Sequence, residues 1–112
     1  MPIIRVENWL SVEWKYRVAP EILRACMSAR VPGIDHEREV TVVFGGEIIL
    51  RNNNVVVVFV EGLFTRRERT KKVRDRLAQE IGNAVKATLP TGWSVEVLVT
   101  RFNPEVESYY QV

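Results

Sequence analysis

The sequence predicts an α+β fold: two βαβ units forming one mixed sheet, with two helices on one face. Three observations predict it. The apolar pattern gives strand, helix, strand twice over along 112 residues. The halves also echo each other. VENWLS at Val6–Ser11 lines up with VEGLFT at Val60–Thr65, and EVTVVF at Glu39–Phe44 with SVEVLV at Ser94–Val99, one residue off the first spacing. Finally, VVVVFV at 55–60 has no polar alternation, the pattern of a strand covered on both faces. The expected organisation is a single domain, 1–112, with one repeat at about 2–50 and the other at about 55–112.

Taken in order, PIIRVE opens a strand over Pro2 to about Asn8, and a helical region follows to about Ala29. Pro20 lies inside that region, and an interior proline removes a hydrogen bond and crowds the preceding turn. The prediction is therefore a firm helix from about Ala19, after a kinked lead-in over Ser11–Val18. Ile22, Leu23, Cys26 and Met27 have the spacing of one buried stripe. VPGIDH is a turn by composition, EVTVVF a strand, and Gly45–Gly46 punctuation before EIIL, a short continuation or hairpin arm. RNNN is a loop before VVVVFV. TRRE fits a capping box with Thr65 as N-cap and Glu68 reaching back. Val73, Leu77, Ile81, Ala84 and Val85 then supply a helical stripe that Pro90 and Gly92 end. WSVEVLV is the last strand, and NPEVESYYQV is a tail with room for a short edge strand.

Two topologies fit this order. Each βαβ unit can pair its own strands in parallel and meet the other about a pseudo-twofold axis, or the strands can interleave as in ferredoxin-like domains. With both helices on one face, the first arrangement leaves a bare sheet face. The apolar VVVVFV then calls for cover from other subunits.

Composition narrows the function classes. Hydrophobic residues at 46% and charged residues at 27% suit a soluble globular chain. No run approaches the ~20 apolar residues of a membrane span, and the Met-Pro start lacks the apolar core of a signal peptide. A single cysteine, Cys26, points to a reducing cytoplasm and no disulfide framework. With one His36 and one Cys26, a His/Cys zinc site within one chain lacks ligands. The formal charge is only +2, yet seven of sixteen basic residues fall in RRERTKKVRDR, Arg66–Arg76. Such a run fits a solvated helix face, a site for a small anion, or a surface for an anionic partner. The mild charge and the lack of an RNA-recognition signature weigh against nucleic acid.

The Met-Pro start with PIIRVE, the doubled βαβ order and FVEGLFTRRERTKKVRDRLAQEI together resemble the tautomerase superfamily. That superfamily includes 4-oxalocrotonate tautomerase (4-OT), the macrophage migration inhibitory factor group and the 3-chloroacrylic acid dehalogenases; FVEGL before an arginine-bearing turn is nearest the dehalogenase branch. The resemblance implies a homotrimer with inward-facing sheets and a cofactor-independent tautomerase, isomerase, dehalogenase or hydratase. It also implies removal of Met1, which frees Pro2 as general base or acid. With Met1 attached, Pro2 carries an amide nitrogen with no basic lone pair. In the turn where those dehalogenases hold substrate arginines, this chain has Arg66, Arg67 and Arg69; the match needs a one-residue gap, so all three are candidates for a carboxylate clamp. Two positions depart from 4-OT: Leu63 follows Glu61-Gly62 where that enzyme has arginine, and Glu96 and Thr41 stand where it has a second-strand arginine. Glu96 is a candidate for positioning water or a proton, or else a plain strand residue. The expected substrate is a small enol or unsaturated carboxylate. The alternatives are a catalytically silent scaffold of this fold, or a ferredoxin-like module binding an anionic partner through helix 66–76.

Overall fold

The computed structural model describes residues 2–46, 48 and 50–112. Strand β1 (Ile3–Glu7) leads into helix α1 (Val12–Ser28), a 3-10 turn (Glu37–Glu39) and strand β2 (Thr41–Phe44). Strand β3 (Val55–Phe64), helix α2 (Lys71–Lys86) and strand β4 (Ser94–Phe102) repeat the order. The sheet runs β2-β1-β3-β4, with β1 parallel to β2, β3 parallel to β4, and the central β1–β3 pair antiparallel. This is the pseudo-twofold arrangement, not the interleaved one.

The register of the two central strands follows the duplication residue by residue. The offset that carries Val6 to Val60 also carries Ile4 to Val58, and the sheet pairs Ile4 with Val60 and Val6 with Val58. Arg5 is carried to Phe59, its own partner, so the axis passes through that pair. Ile3 opposite Thr41 in the first unit corresponds to Val57 opposite Glu96 in the second, matching the one-residue slip of the sequence repeat.

One sheet face carries the core. Ile4, Val6, Val56, Val58 and Val60 are buried beneath Trp14, Val18, Ile22, Ala25 and Cys26 of α1 and Leu77, Ile81 and Val85 of α2. Burial pushes the Cys26 thiol up to about 12. Opposite Thr100, β3 bulges between Val60 and Leu63, with Gly62 at φ 71°. The extra residue reverses the alternation, so Leu63 points into the core at 1% exposure. The other face is bare in the lone chain: Ile3, Val43 and Leu98 are exposed and Phe59 half-buried. VVVVFV is therefore covered on one face by the helices, while on the other, among the described residues, Val55, Val57 and Phe59 are left half-exposed.

Three sequence expectations need correction. Helix α1 is continuous from Val12 and starts at Ser11, whose side chain accepts from the Trp14 N–H at 3.2 Å. Pro20 lies within it without breaking it. Pro20 and Tyr16, whose carbonyl loses its usual donor, are both exposed, so water can take that carbonyl. The N-cap of α2 is Thr70, which accepts from the Val73 N–H at 3.3 Å, and not Thr65. The tail from Asn103 onward forms no strand; Tyr109 packs edge-on against Phe64 at 4.7 Å between ring centroids. The expected EIIL arm falls partly on Glu47 and Ile49, which lie outside the described residues. No described helix is long and apolar enough to cross a membrane.

Candidate active site

Besides their strand lengths and the β3 bulge, the two βαβ units differ in two further places. Ser11 caps the first helix, but the cap of the second, Thr70, comes five residues beyond the equivalent Thr65, after RRER. The α1-to-β2 connection, Ala29–Val40, is also longer than its counterpart, Ala87–Trp93. These two additions meet over the start of β1. There Pro2, Gly33, Ile34, Glu39, Phe64, Thr65, Arg66 and Arg69 line a cavity of about 290 Å³.

Pro2 is buried at the head of β1, and its carbonyl accepts from the Thr41 N–H at 3.2 Å. That bond extends the β1–β2 ladder and fixes where the residue's nitrogen can lie. Arg69 is the one charged residue in the described core, 8% exposed. Its Nε donates to the Pro32 carbonyl and its Nη1 to the Phe64 carbonyl, each at 2.9 Å. These bonds explain why no helix begins at Thr65: residues 65–69 are held as a loop by an arginine that reaches back to β3 and across to the Pro32 turn. Burial, and then the charge of Arg66, lower the pKa of Arg69, while Glu68 partly opposes them. Arg66 is exposed. Among the described residues neither Arg66 nor Arg69 is paired with a carboxylate.

Gly33 explains how two cations come so close. It has φ +87°, and a Cβ built there would lie 2.8 Å from Arg66 Cζ, nearer still to Arg66 Nη1, and 2.9 Å from Arg69 Nη2. Both guanidiniums thus rest against one bare backbone position. Glu39 closes the other side. One of its carboxylate oxygens accepts from the Asp35 and His36 N–H groups at 3.2 and 3.1 Å. In the sequence VPGIDH reads only as a turn and Glu39 only as the opening of the EVTVVF strand, so neither Gly33 nor Glu39 stands out; the Pro-Gly pair was the available signal, but not its contact with arginines far along the chain.

The remaining candidates lie elsewhere. Arg67 is exposed and does not line the cavity. Glu96 is exposed on the bare sheet face opposite Val57. Beyond the loop the basic run has structural partners: Arg74 donates to the Arg69 carbonyl at 2.7 Å, and Lys71 pairs with Asp75. Arg76 donates to the carbonyls of Ala29 and Arg30 at 2.6 and 3.2 Å, a cation at the negative end of α1.

Chemically, a small cavity with two guanidiniums lacking anionic partners, apolar walls at Ile34 and Phe64, and an anchored carboxylate suits one small carboxylate ligand. In sequence, no protein-family model and no curated protein matches the chain. Solved structures do match its fold. A protein of unknown function from Vibrio cholerae O1 biovar eltor superposes with a TM-score of 0.69 at 16% identity, over 98% of this chain and 83% of that one. The F6 fused 4-OT wild-type asymmetric trimer gives 0.64 at 16% identity, over 90% and 86%. FG41 malonate semialdehyde decarboxylase inhibited by 3-bromopropiolate gives 0.61 at 18% identity, over 99% and 89%. With two parallel βαβ units joined about an axis through Arg5 and Phe59, this chain has the fold of the tautomerase superfamily.

Proposed function

We propose that this chain, once Met1 is removed, catalyses cofactor-independent proton transfer or hydration on a small enol or unsaturated carboxylate, with Pro2 as the base. The observation that carries the reading is the shared cavity: Pro2 opens onto the same 290 Å³ space as Arg66 and Arg69. A free secondary amine there has two cations as neighbours and apolar walls, both of which disfavour its protonated form and lower its pKa towards neutrality. The arginines serve a second purpose. Arg69, held by two carbonyls, presents its Nη2 edge to a carboxylate without having to be ordered first, and Arg66 completes the clamp. On an enol, Pro2 takes the hydroxyl proton and returns it to carbon, while the guanidiniums stabilise the enolate between the two steps. Glu39, anchored by two backbone N–H groups, is the nearest carboxylate for holding a water. Arg67 and Glu96 have no part in this scheme.

A homotrimer belongs to the same reading. The bare sheet face with Ile3, Val43 and Leu98 needs cover, and a fused 4-OT of the same fold is a trimer.

Intact mass of the purified protein is the first test, since retained Met1 leaves Pro2 without a basic nitrogen. In protein lacking Met1, Pro2→Ala should lower kcat on a phenylenolpyruvate-type enol by ~100-fold or more. Undiminished turnover would reject Pro2 as the base, and retained Met1 in active protein would reject it equally.

A further inference from the structure

We infer that Gly33 is the positioning residue of the arginine clamp, and that the Val31–Ile34 turn aims both guanidiniums at one carboxylate. The inference rests on the proposed site but concerns how the anion is held rather than whether the proline reacts.

The turn is VPGI, closed by Ile34 N–H donating to the Val31 carbonyl at 3.0 Å. Proline at its second position and a glycine at φ +87° at its third are the signature of a type II turn. In that turn the central peptide is flipped relative to type I, and this sets the direction of the Pro32 carbonyl. That carbonyl is the acceptor for Arg69 Nε. An L-residue at position 33 favours the type I orientation, which turns the carbonyl away and takes one of the two anchors from a buried cation. The missing side chain has a second effect. The space a Cβ would fill is occupied by Arg66 Nη1 and approached by Arg69 Nη2. Arg69 is fixed by its carbonyls and Arg66 is exposed, so an added Cβ displaces Arg66 and opens the clamp. Among the described residues no carboxylate forms an ion pair with either cation, and the bare turn leaves them room to converge.

Two substitutions separate the effects. Gly33→Ala disfavours the positive φ and also fills the space, whereas Gly33→Asn tolerates that φ and only fills the space. Binding of pyruvate, a small 2-oxo carboxylate, would be followed through the side-chain ¹⁵Nε signals of Arg66 and Arg69, with Arg67 as internal control. Urea unfolding of each variant would be measured alongside. In the wild type, pyruvate should shift Arg66 and Arg69 but not Arg67. Gly33→Asn should weaken its binding by roughly tenfold or more while remaining folded. A lower unfolding midpoint with unchanged pyruvate affinity would reduce Gly33 to a structural turn residue and overturn the inference, as would a wild type that binds no pyruvate at these arginines. If pyruvate binds as described but no enol is turned over, the proline chemistry fails while the role of Gly33 stands.

Discussion

Arg66 and Arg69 stand three residues apart and face different costs. Arg69 is buried, and its removal leaves the half-buried carbonyls of Pro32 and Phe64 without their donors. Arg69→Ala should therefore lower unfolding free energy by about 2–3 kcal/mol as well as abolish anion binding. Arg66→Ala should leave stability within about 0.5 kcal/mol and lower kcat/KM for a carboxylate substrate by roughly tenfold or more. Urea titration and steady-state kinetics on the same two variants would check both. RRERT is legible in the sequence as an anion-binding candidate, but not which guanidiniums turn inward. A helix starting at Thr65 would fan the three arginines around its first turn. The observed loop sends Arg66 and Arg69 to the cavity and Arg67 to solvent, because Arg69 finds acceptors on two other segments. Gly33 is legible only as part of a turn, since its contact with the guanidiniums depends on atoms more than thirty residues away.

At the scale of the element, periodicity was a better guide than punctuation. Of the predicted stripes, Ile22, Cys26, Leu77, Ile81 and Val85 are buried and Leu23, Met27, Val73 and Ala84 pack half-buried at the edge of the core, because burial of one helical face depends on short-range geometry. Pro20 and Thr65 misled for opposite reasons. A proline's cost depends on whether water can replace the lost donor, and here Tyr16 and Pro20 are both exposed. A capping residue competes with whatever else its loop can bond, and here the loop has stronger claims on it. Since Pro20 is exposed and its surroundings are helical, Pro20→Ala should stabilise the protein, by up to about 3 kcal/mol. A raised urea midpoint with an unchanged slope would bear this out, and a lowered one would mean that the proline fixes a bend the packing requires.

For the whole molecule, the repeat made the two βαβ units legible and left the pseudo-twofold and interleaved sheets as alternatives, whereas Gly33 and Glu39 escaped notice because they lie in a connection that the second unit does not share. The bare face decides the assembly. Leu98 lies on it, 43% exposed, and Leu98→Glu should convert the proposed trimer to monomers by sedimentation velocity without loss of helical circular dichroism. A wild-type monomer at micromolar concentration would reject that assembly. The same face holds the pair on the axis. Arg5 donates to Glu7 at 2.7 Å and to Glu61 at 2.9 and 2.6 Å, and its guanidinium stacks over Phe59, 4.3 Å from the ring centroid. Glu7 and Glu61 are themselves equivalent under the repeat, so a single cation at the centre satisfies one acid from each half. Two identical halves could not do this: an arginine in each would set like charges face to face, and a phenylalanine in each would leave both acids without a cation. Because both halves lie in one chain, a position that exact symmetry would force to be identical carries two different residues, and the two units are not interchangeable at the centre of the sheet.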